Sequence, residues 1–129
     1  MAAITPLGVL FLVFLLEIKH FIFDAPLQTS VMVADKAIYG KKMGLVHAGL
    51  HGIGTFIVLP IAGVAWAPAA ILALGEAVIH YHLDYSKENF VKSKGWTPRD
   101  SWFWWSLATD QALHHFSYLA IALIVVVWL

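Results

Sequence analysis

The sequence contains no cysteine among its 129 residues. That absence excludes disulfide bridges, thiolate metal sites and enzymes with a cysteine nucleophile. Charged residues are also scarce: they make up 12% of the chain, whereas a soluble domain has about 25%. Apolar residues make up 60%, so the chain has too few charges to cover a water-exposed surface, and we interpret it as a membrane protein. The formal net charge is zero, and we expect no nucleic-acid partner because no overall basic field is present.

Four apolar stretches approach the roughly 20 residues that are needed to cross a hydrocarbon core. They cover residues 4–23, 43–65, 68–84 and 102–129. The segment 28–42 is polar and amphipathic and predicts a short interfacial helix, whereas the charged segment 85–101 is expected to be a connection. We therefore predict an all-α membrane protein: an antiparallel four-helix transmembrane bundle that forms a single integral membrane domain over residues 1–129.

The positions of the basic residues predict how this bundle is oriented. All eight lie on one side of the predicted bundle: Lys19, Lys36, Lys41, Lys42, Lys87, Lys92, Lys94 and Arg99. The positive-inside rule places that side in the cytoplasm and both termini outside. No basic segment precedes the first stretch, which itself carries Glu17 and Lys19, so we expect a retained span and not a cleaved signal peptide.

Each predicted span carries one pair of potential metal ligands at positions i and i+4. The pairs are His20/Asp24, His47/His51, His80/Asp84 and Asp110/His114. This spacing puts both members of a pair on one helix face, and all four pairs fall in the cytoplasmic halves of their spans. Five imidazoles and three carboxylates would therefore lie at a common depth. Helix bundles build metal sites from inward-facing side chains of this kind, so we predict a metal site and interpret it as dinuclear. Zinc suits this donor set best, with iron and manganese as alternatives.

Other polar residues are predicted to support that site. Glu76 lies one turn before His80, where it could be a ligand, an orienting group or the general base, and we assign it the catalytic role. His82 and His115 point away from the paired residues. The plainer alternative for the whole set is a hydrogen-bonded network that packs the helices together.

The run from His20 to Thr29, HFIFDAPLQT, resembles the opening of a small membrane family called Domain of Unknown Function 3307. The resemblance continues through His47 and His51, through the run from His80 to Asp84, and through the run from Asp110 to His114, and it spans residues 17–126. Members occur in bacteria and prophages, which implies the bacterial inner membrane. The resemblance implies four spans and the same polar set, but no substrate.

These features favour a metal-dependent hydrolase of a membrane lipid or a lipid-linked substrate. Lys41, Lys42 and Lys92 could attract anionic lipid to the cytoplasmic face. A membrane di-iron oxygenase is a second enzyme class, although three carboxylates count against it. The main alternative is a non-catalytic accessory subunit of a larger membrane complex, with a haem or a pigment held by its histidines. A proton or ion path ranks last.

Overall fold

The computed structural model describes residues 4–128, which form five α-helices and no strand. The helices are α1 (Pro6–Asp24), α2 (Ser30–Lys36), α3 (Lys42–Ile61), α4 (Trp66–Lys94) and α5 (Ser101–Trp128). The all-α class is therefore confirmed. The short helix α2 lies inside the segment where an interfacial helix was predicted.

Three of the helices in the described chain are long and apolar enough to cross a membrane: α1, α3 and α5. This is consistent with a membrane protein. Helix α4 has sufficient length but does not reach the same mean hydropathy, because Glu76, His80 and His82 lie within its apolar part.

The helix boundaries follow from local capping. Thr5 and Thr29 are the N-caps of α1 and α2, and their hydroxyl oxygens accept the backbone N–H groups of Gly8 and Met32 at 3.1 Å and 3.2 Å. Helix α4 ends at Gly95, whose φ of +66° is the left-handed conformation that glycine adopts at low cost.

The connection predicted between the last two spans begins with helix. Residues 85–94 are helical and extend α4 by ten residues beyond the predicted end of the span. Their charged side chains are compatible with helix, and the expected stop signal comes only at Gly95. The extension also has a packing role, because Val91 is buried and the Asn89 amide donates to the carbonyl of Ala37 at 3.0 Å.

Glycines allow α3 to approach the helices on both of its sides. A Cβ on Gly52 would lie 2.9 Å from the Cβ of Ala77 in α4, and a Cβ on Gly54 would lie 2.6 Å from side-chain atoms of Lys19 in α1. Gly44 also allows a close approach, because a Cβ there would lie 3.2 Å from the carbonyl oxygen of Asp35. Close approach at these points brings the polar side chains of the three helices together.

The interior is divided into an apolar half and a polar half. The apolar half is a buried cluster contributed mainly by α1, α3 and α5, and includes Leu12, Leu16, Leu59, Ile121 and Val125. Most of the outward-facing side chains on the same helices are large and apolar, such as Leu7, Leu10, Ile57 and Leu123. Charged groups inside and apolar groups outside are the arrangement that a bilayer favours.

Candidate metal centre

The polar half is built from stripes of residues that repeat every four positions. In α1 the stripe begins with Leu12 and Leu16 and continues into His20 and Asp24. The other helices supply the stripes His47–His51–Thr55, Glu76–His80–Asp84 and Asp110–His114–Tyr118. Residues four apart lie on one helix face, so each helix directs one column of polar side chains inward. All the members of these three stripes are buried.

The first group of potential ligands consists of Asp24, His47, His51 and His80, whose donor atoms lie within 4.8 Å of one another. Oδ1 of Asp24 is 3.2 Å from Nε2 of His47 and 3.0 Å from Nε2 of His51. The Nε2 atoms of His47 and His80 are 3.2 Å apart. Three imidazoles and one carboxylate therefore converge on one point from three helices.

The second group consists of His80, Asp84 and His114. Oδ2 of Asp84 is 3.4 Å from Nε2 of His80, and Oδ1 of Asp84 is 3.5 Å from Nε2 of His114. Asp110 adjoins this group, with its Oδ1 at 3.5 Å from the same His114 nitrogen. Within the described residues, Oδ1 of Asp110 and Nε2 of His114 are buried and make no hydrogen bond.

His80 belongs to both groups, and this limits how both could be filled. Its Nε2 faces His47 as well as Asp84, and one nitrogen lone pair binds only one cation. The ammonium of Lys36 also lies 3.0 Å from Oδ2 of Asp84, where it provides a positive charge to the second group. The first group is thus the more complete ligand set.

Glu76 lies behind His80 and not at the convergence point. Its Oε1 is 3.2 Å from Nζ of Lys19 and 3.5 Å from Nδ1 of His80, and its Oε2 accepts from the hydroxyl of Thr55 at 3.4 Å. Glu76 and Lys19 form a buried ion pair, with 2% and 4% of their side chains exposed. Nδ1 of His80 makes no hydrogen bond among the described residues, and Glu76 lies on the side of the ring from which a carboxylate orients a ligand histidine.

His20 lies outside both ligand groups. Its Nε2 is 2.9 Å from Oε1 of Gln111 and 3.2 Å from Oδ2 of Asp24, whereas its Nδ1 is 2.8 Å from the hydroxyl of Tyr118. The amide nitrogen of Gln111 donates to Oδ2 of Asp24 at 3.3 Å and to Oδ2 of Asp110 at 3.3 Å. His20 thus contacts the site through Asp24 and Gln111.

The interior carries more negative than positive side chains when its histidines are neutral. Four carboxylates face this polar interior: Asp24, Glu76, Asp84 and Asp110. The ammonium groups of Lys19 and Lys36 neutralise two of these four negative charges. Two negative charges therefore remain, and burial of unpaired charge is costly. A divalent cation, or protonation of histidines, would restore neutrality.

A cavity of about 510 Å³ opens beside the site between α1, α2, α4 and α5. Its polar wall includes Asp24, Asp84, Asp110 and Lys36. A second cavity of about 400 Å³ lies between α4 and α5, and its lining is mostly apolar and aromatic, with Phe90, Trp96, Trp102 and Trp105. Lys87 and Asp110 line both cavities, so the two spaces are neighbours.

The structure brings all four predicted pairs into one polar layer and adds residues that the sequence analysis had not placed there. Lys19 and Lys36 were interpreted as topology determinants, but both are buried and ion-paired. Thr55 and Tyr118 each continue a polar stripe by one further turn, and that periodicity could have identified them. Outside the layer, His82 contacts Tyr39 at 3.2 Å, as expected for a residue pointing away.

Comparison with family models gives one match, described as "Protein of unknown function (DUF3307)", which covers residues 10–129. Comparison with curated proteins gave no match, and comparison with solved structures gave none. The family match covers all the residues of the polar layer and confirms the resemblance carried by the HFIFDAPLQT run. The chain therefore belongs to the DUF3307 family.

Proposed function

We propose that this protein binds a divalent metal ion inside the membrane, at Asp24, His47, His51 and His80. The observation that carries the proposal is the convergence of these four donors within 4.8 Å, in an interior that has four carboxylates and two ammonium groups. Neutral imidazole and carboxylate without thiolate suit zinc, with iron and manganese as alternatives. The Asp84, Asp110 and His114 side chains would form the other half of the centre, where a second ion requires an additional anionic ligand or displacement of Lys36.

We further propose that α4 is the fourth transmembrane helix, so that the chain forms an antiparallel four-span bundle. The polar residues that lower its hydropathy are buried, with Glu76, His80 and Asp84 exposed by 5% or less. Its outward face carries exposed Ile71, Leu74 and Val78, which suit lipid. Basic residues at the Lys42 end of α3 and the Lys94 end of α4 favour a cytoplasmic location for that end and both termini outside.

The chemistry that we favour is hydrolysis of a lipid or a lipid-linked substrate. A metal ion at this site would supply a polarised carbonyl or phosphoryl oxygen and an acidified water. The polar cavity beside the site can hold a headgroup, and the neighbouring aromatic cavity can hold an acyl chain. The shared residues Lys87 and Asp110 lie where the two parts of such an amphiphile would join.

The protein side chains would divide the work of hydrolysis. Asp84 or Asp110 is placed to accept a proton from the attacking water, because both carboxylates line the polar cavity. The water oxygen would bond to the carbonyl carbon or phosphorus, the ester bond would break, and the proton would pass to the leaving oxygen. Lys36 could stabilise the negative charge that develops on the substrate oxygen. Glu76, first assigned as the base, is better placed to orient His80.

An accessory subunit that holds haem or a pigment is a weaker alternative. The rings of His51 and His80 are stacked with centroids 3.7 Å apart, and those of His80 and His114 are 4.1 Å apart. A flat macrocycle could reach these nitrogens only if the packed rings separated. A purely structural role in a complex with other membrane subunits predicts neither bound metal nor turnover.

Lipid turnover tests the hydrolase proposal. The protein would be reconstituted with zinc into vesicles of phosphatidylethanolamine and phosphatidylglycerol, and released fatty acids and headgroups would be measured by mass spectrometry. We expect release with the unmodified protein and with His82→Gln, whose ring lies outside the layer. The double variant Asp84→Asn/Asp110→Asn should abolish it. Equal release from the double variant and the unmodified protein would contradict the proposed roles.

A further inference from the structure

We propose that His20 is a positioning residue and not a metal ligand. It lies within a hydrogen-bond chain of fixed direction that runs from Lys19 through Tyr118, His20 and Gln111 to the carboxylates of Asp24 and Asp110. Because His20 would act through Asp24, its role rests on the proposed metal site. The direction of each hydrogen bond follows from the donor and acceptor capacity of the two ends.

At the first end, the ammonium of Lys19 can only donate. Four possible acceptors surround it: the hydroxyl oxygen of Tyr118 at 3.1 Å, Oε1 of Glu76 at 3.2 Å, and the carbonyl oxygen and Nδ1 of His51, each at 3.4 Å. The Tyr118 oxygen is the nearest of them and accepts from Lys19, so its own hydrogen is directed to Nδ1 of His20 at 2.8 Å. From this end, Nδ1 of His20 is an acceptor and carries no hydrogen.

At the second end, the ionised carboxylates of Asp24 and Asp110 can only accept. Nε2 of Gln111 lies 3.3 Å from an oxygen of each, so the amide NH₂ group faces them. The amide oxygen of Gln111 then faces Nε2 of His20 at 2.9 Å and accepts from it. From this end, Nε2 of His20 is a donor and carries the hydrogen.

Both ends therefore assign the same tautomer to His20, with the hydrogen on Nε2 and the Nδ1 lone pair occupied by Tyr118. Neither nitrogen is free to bind a metal. The opposite tautomer would turn the Gln111 oxygen toward two carboxylates and deprive the buried Tyr118 hydroxyl of its acceptor at 2.8 Å. A buried donor or acceptor that is left unsatisfied destabilises the folded state, so this tautomer is disfavoured.

This hydrogen-bond chain would fix the orientation of the Asp24 carboxylate. Oδ2 of Asp24 accepts an N–H of Gln111, whose amide is itself held by the Nε2–H of His20, while Oδ1 remains directed at His47 and His51. Removal of residues that orient a metal ligand typically lowers metal affinity about 10–100-fold. We therefore expect His20→Leu to weaken zinc binding by that factor with unchanged stoichiometry at saturation. His20→Gln, which can restore the donor toward Gln111, should recover most of the affinity.

The test uses ¹⁵N-histidine NMR of the full chain in detergent, loaded with ¹¹³Cd²⁺ as the probe and assigned with His→Gln variants. We expect ¹¹³Cd–¹⁵N coupling to His47 and none to His20, whose Nε2 should show an attached proton. Tyr118→Phe should shift the Nδ1 signal of His20 while cadmium stays bound. Coupling to a His20 nitrogen, or a proton on Nδ1, would overturn the proposal. The His20 tautomer is also measurable without metal. A failure to bind cadmium would therefore count against the metal site and not against the hydrogen-bond chain through His20.

Discussion

The Nε2 atoms of His47 and His80 lie 3.2 Å apart, on two rings that are at most 1% exposed. The same His47 nitrogen lies 3.2 Å from Asp24 and 3.4 Å from Asp84. A ring nitrogen makes one good hydrogen bond, so two carboxylates and a second imidazole compete for it. A cation at this point would relieve that competition, because imidazole nitrogens and carboxylate oxygens can bind one metal ion together.

Lys19→Met is expected to destabilise the protein strongly, because it leaves the carboxylate of Glu76 buried without its positive partner. Loss of one member of a buried ion pair costs about 3–5 kcal/mol in the free energy of unfolding. The double variant Lys19→Met/Glu76→Gln should recover a large part of that loss. Denaturant unfolding in detergent measures both. Equal stability of the single variant and the unmodified protein would show that the pair is not formed.

Gly54→Ala is expected to destabilise the packing of α1 on α3, since its methyl group would lie 2.6 Å from side-chain atoms of Lys19 and Phe23. Overpacking of this kind costs about 1–3 kcal/mol. Gly49→Ala in the same helix is the matched control, because its methyl group meets nothing within 4 Å. The control should leave the free energy of unfolding unchanged or raise it by up to about 1 kcal/mol, because alanine has a higher helix propensity than glycine. Thermal unfolding that ranks the two variants in the opposite order would refute the observed α1–α3 contact.

Lys36→Met is expected to strengthen divalent-cation binding, because the Lys36 ammonium neutralises Asp84 in the second ligand group. The variant interior would carry one more uncompensated negative charge. Calorimetric titration with Zn²⁺ should show at least about tenfold tighter binding or an additional equivalent, where tenfold is about 1.4 kcal/mol. The exposed Lys41→Met is the control and should bind as the unmodified protein does. Weaker binding by Lys36→Met would contradict this role for Lys36.

Single-cysteine labelling can test the proposed four-span topology cleanly, since the chain has no cysteine of its own. Lys94→Cys lies at the end of α4, and Ala65→Cys lies in the turn between α3 and α4. We expect a membrane-impermeant maleimide added to intact cells to label Ala65→Cys, and to label Lys94→Cys only after lysis. Labelling of both positions from the outside would mean that α4 does not cross the membrane.

The helical class, the helices apolar enough to cross a membrane and the clustering of the four i, i+4 pairs in one polar layer could be predicted from the sequence, because hydropathy and i, i+4 spacing are local properties. It did not predict that Lys19 and Lys36 are buried. Their partners, Glu76 and Asp84, lie on another helix, and a lysine near a helix end is usually solvated. The length of α4 was also missed, because hydropathy marks where a span ends but not where a helix ends.

The different surroundings of His20 and His51 also depend on tertiary contacts, which the sequence does not show. His20 and His51 have similar local sequence contexts, since each forms an i, i+4 pair inside an apolar stretch. Only the packing of α5 against α1 sets Tyr118 and Gln111 on the two nitrogens of His20. His51, in contrast, directs Nε2 to Asp24 within the first ligand group.

The most direct test of the account is the metal content of the protein purified in detergent, measured by plasma mass spectrometry alongside the double variant His47→Gln/His51→Gln. Each substitution removes an imidazole from the first ligand group, whereas the control His82→Gln changes a ring outside the polar layer. We predict close to one equivalent of zinc, iron or manganese in the unmodified protein and in the control, and almost none in the double variant. Equal metal content in all three proteins, or none in the unmodified protein after zinc loading, would contradict a metal centre and leave the polar layer as a packing network.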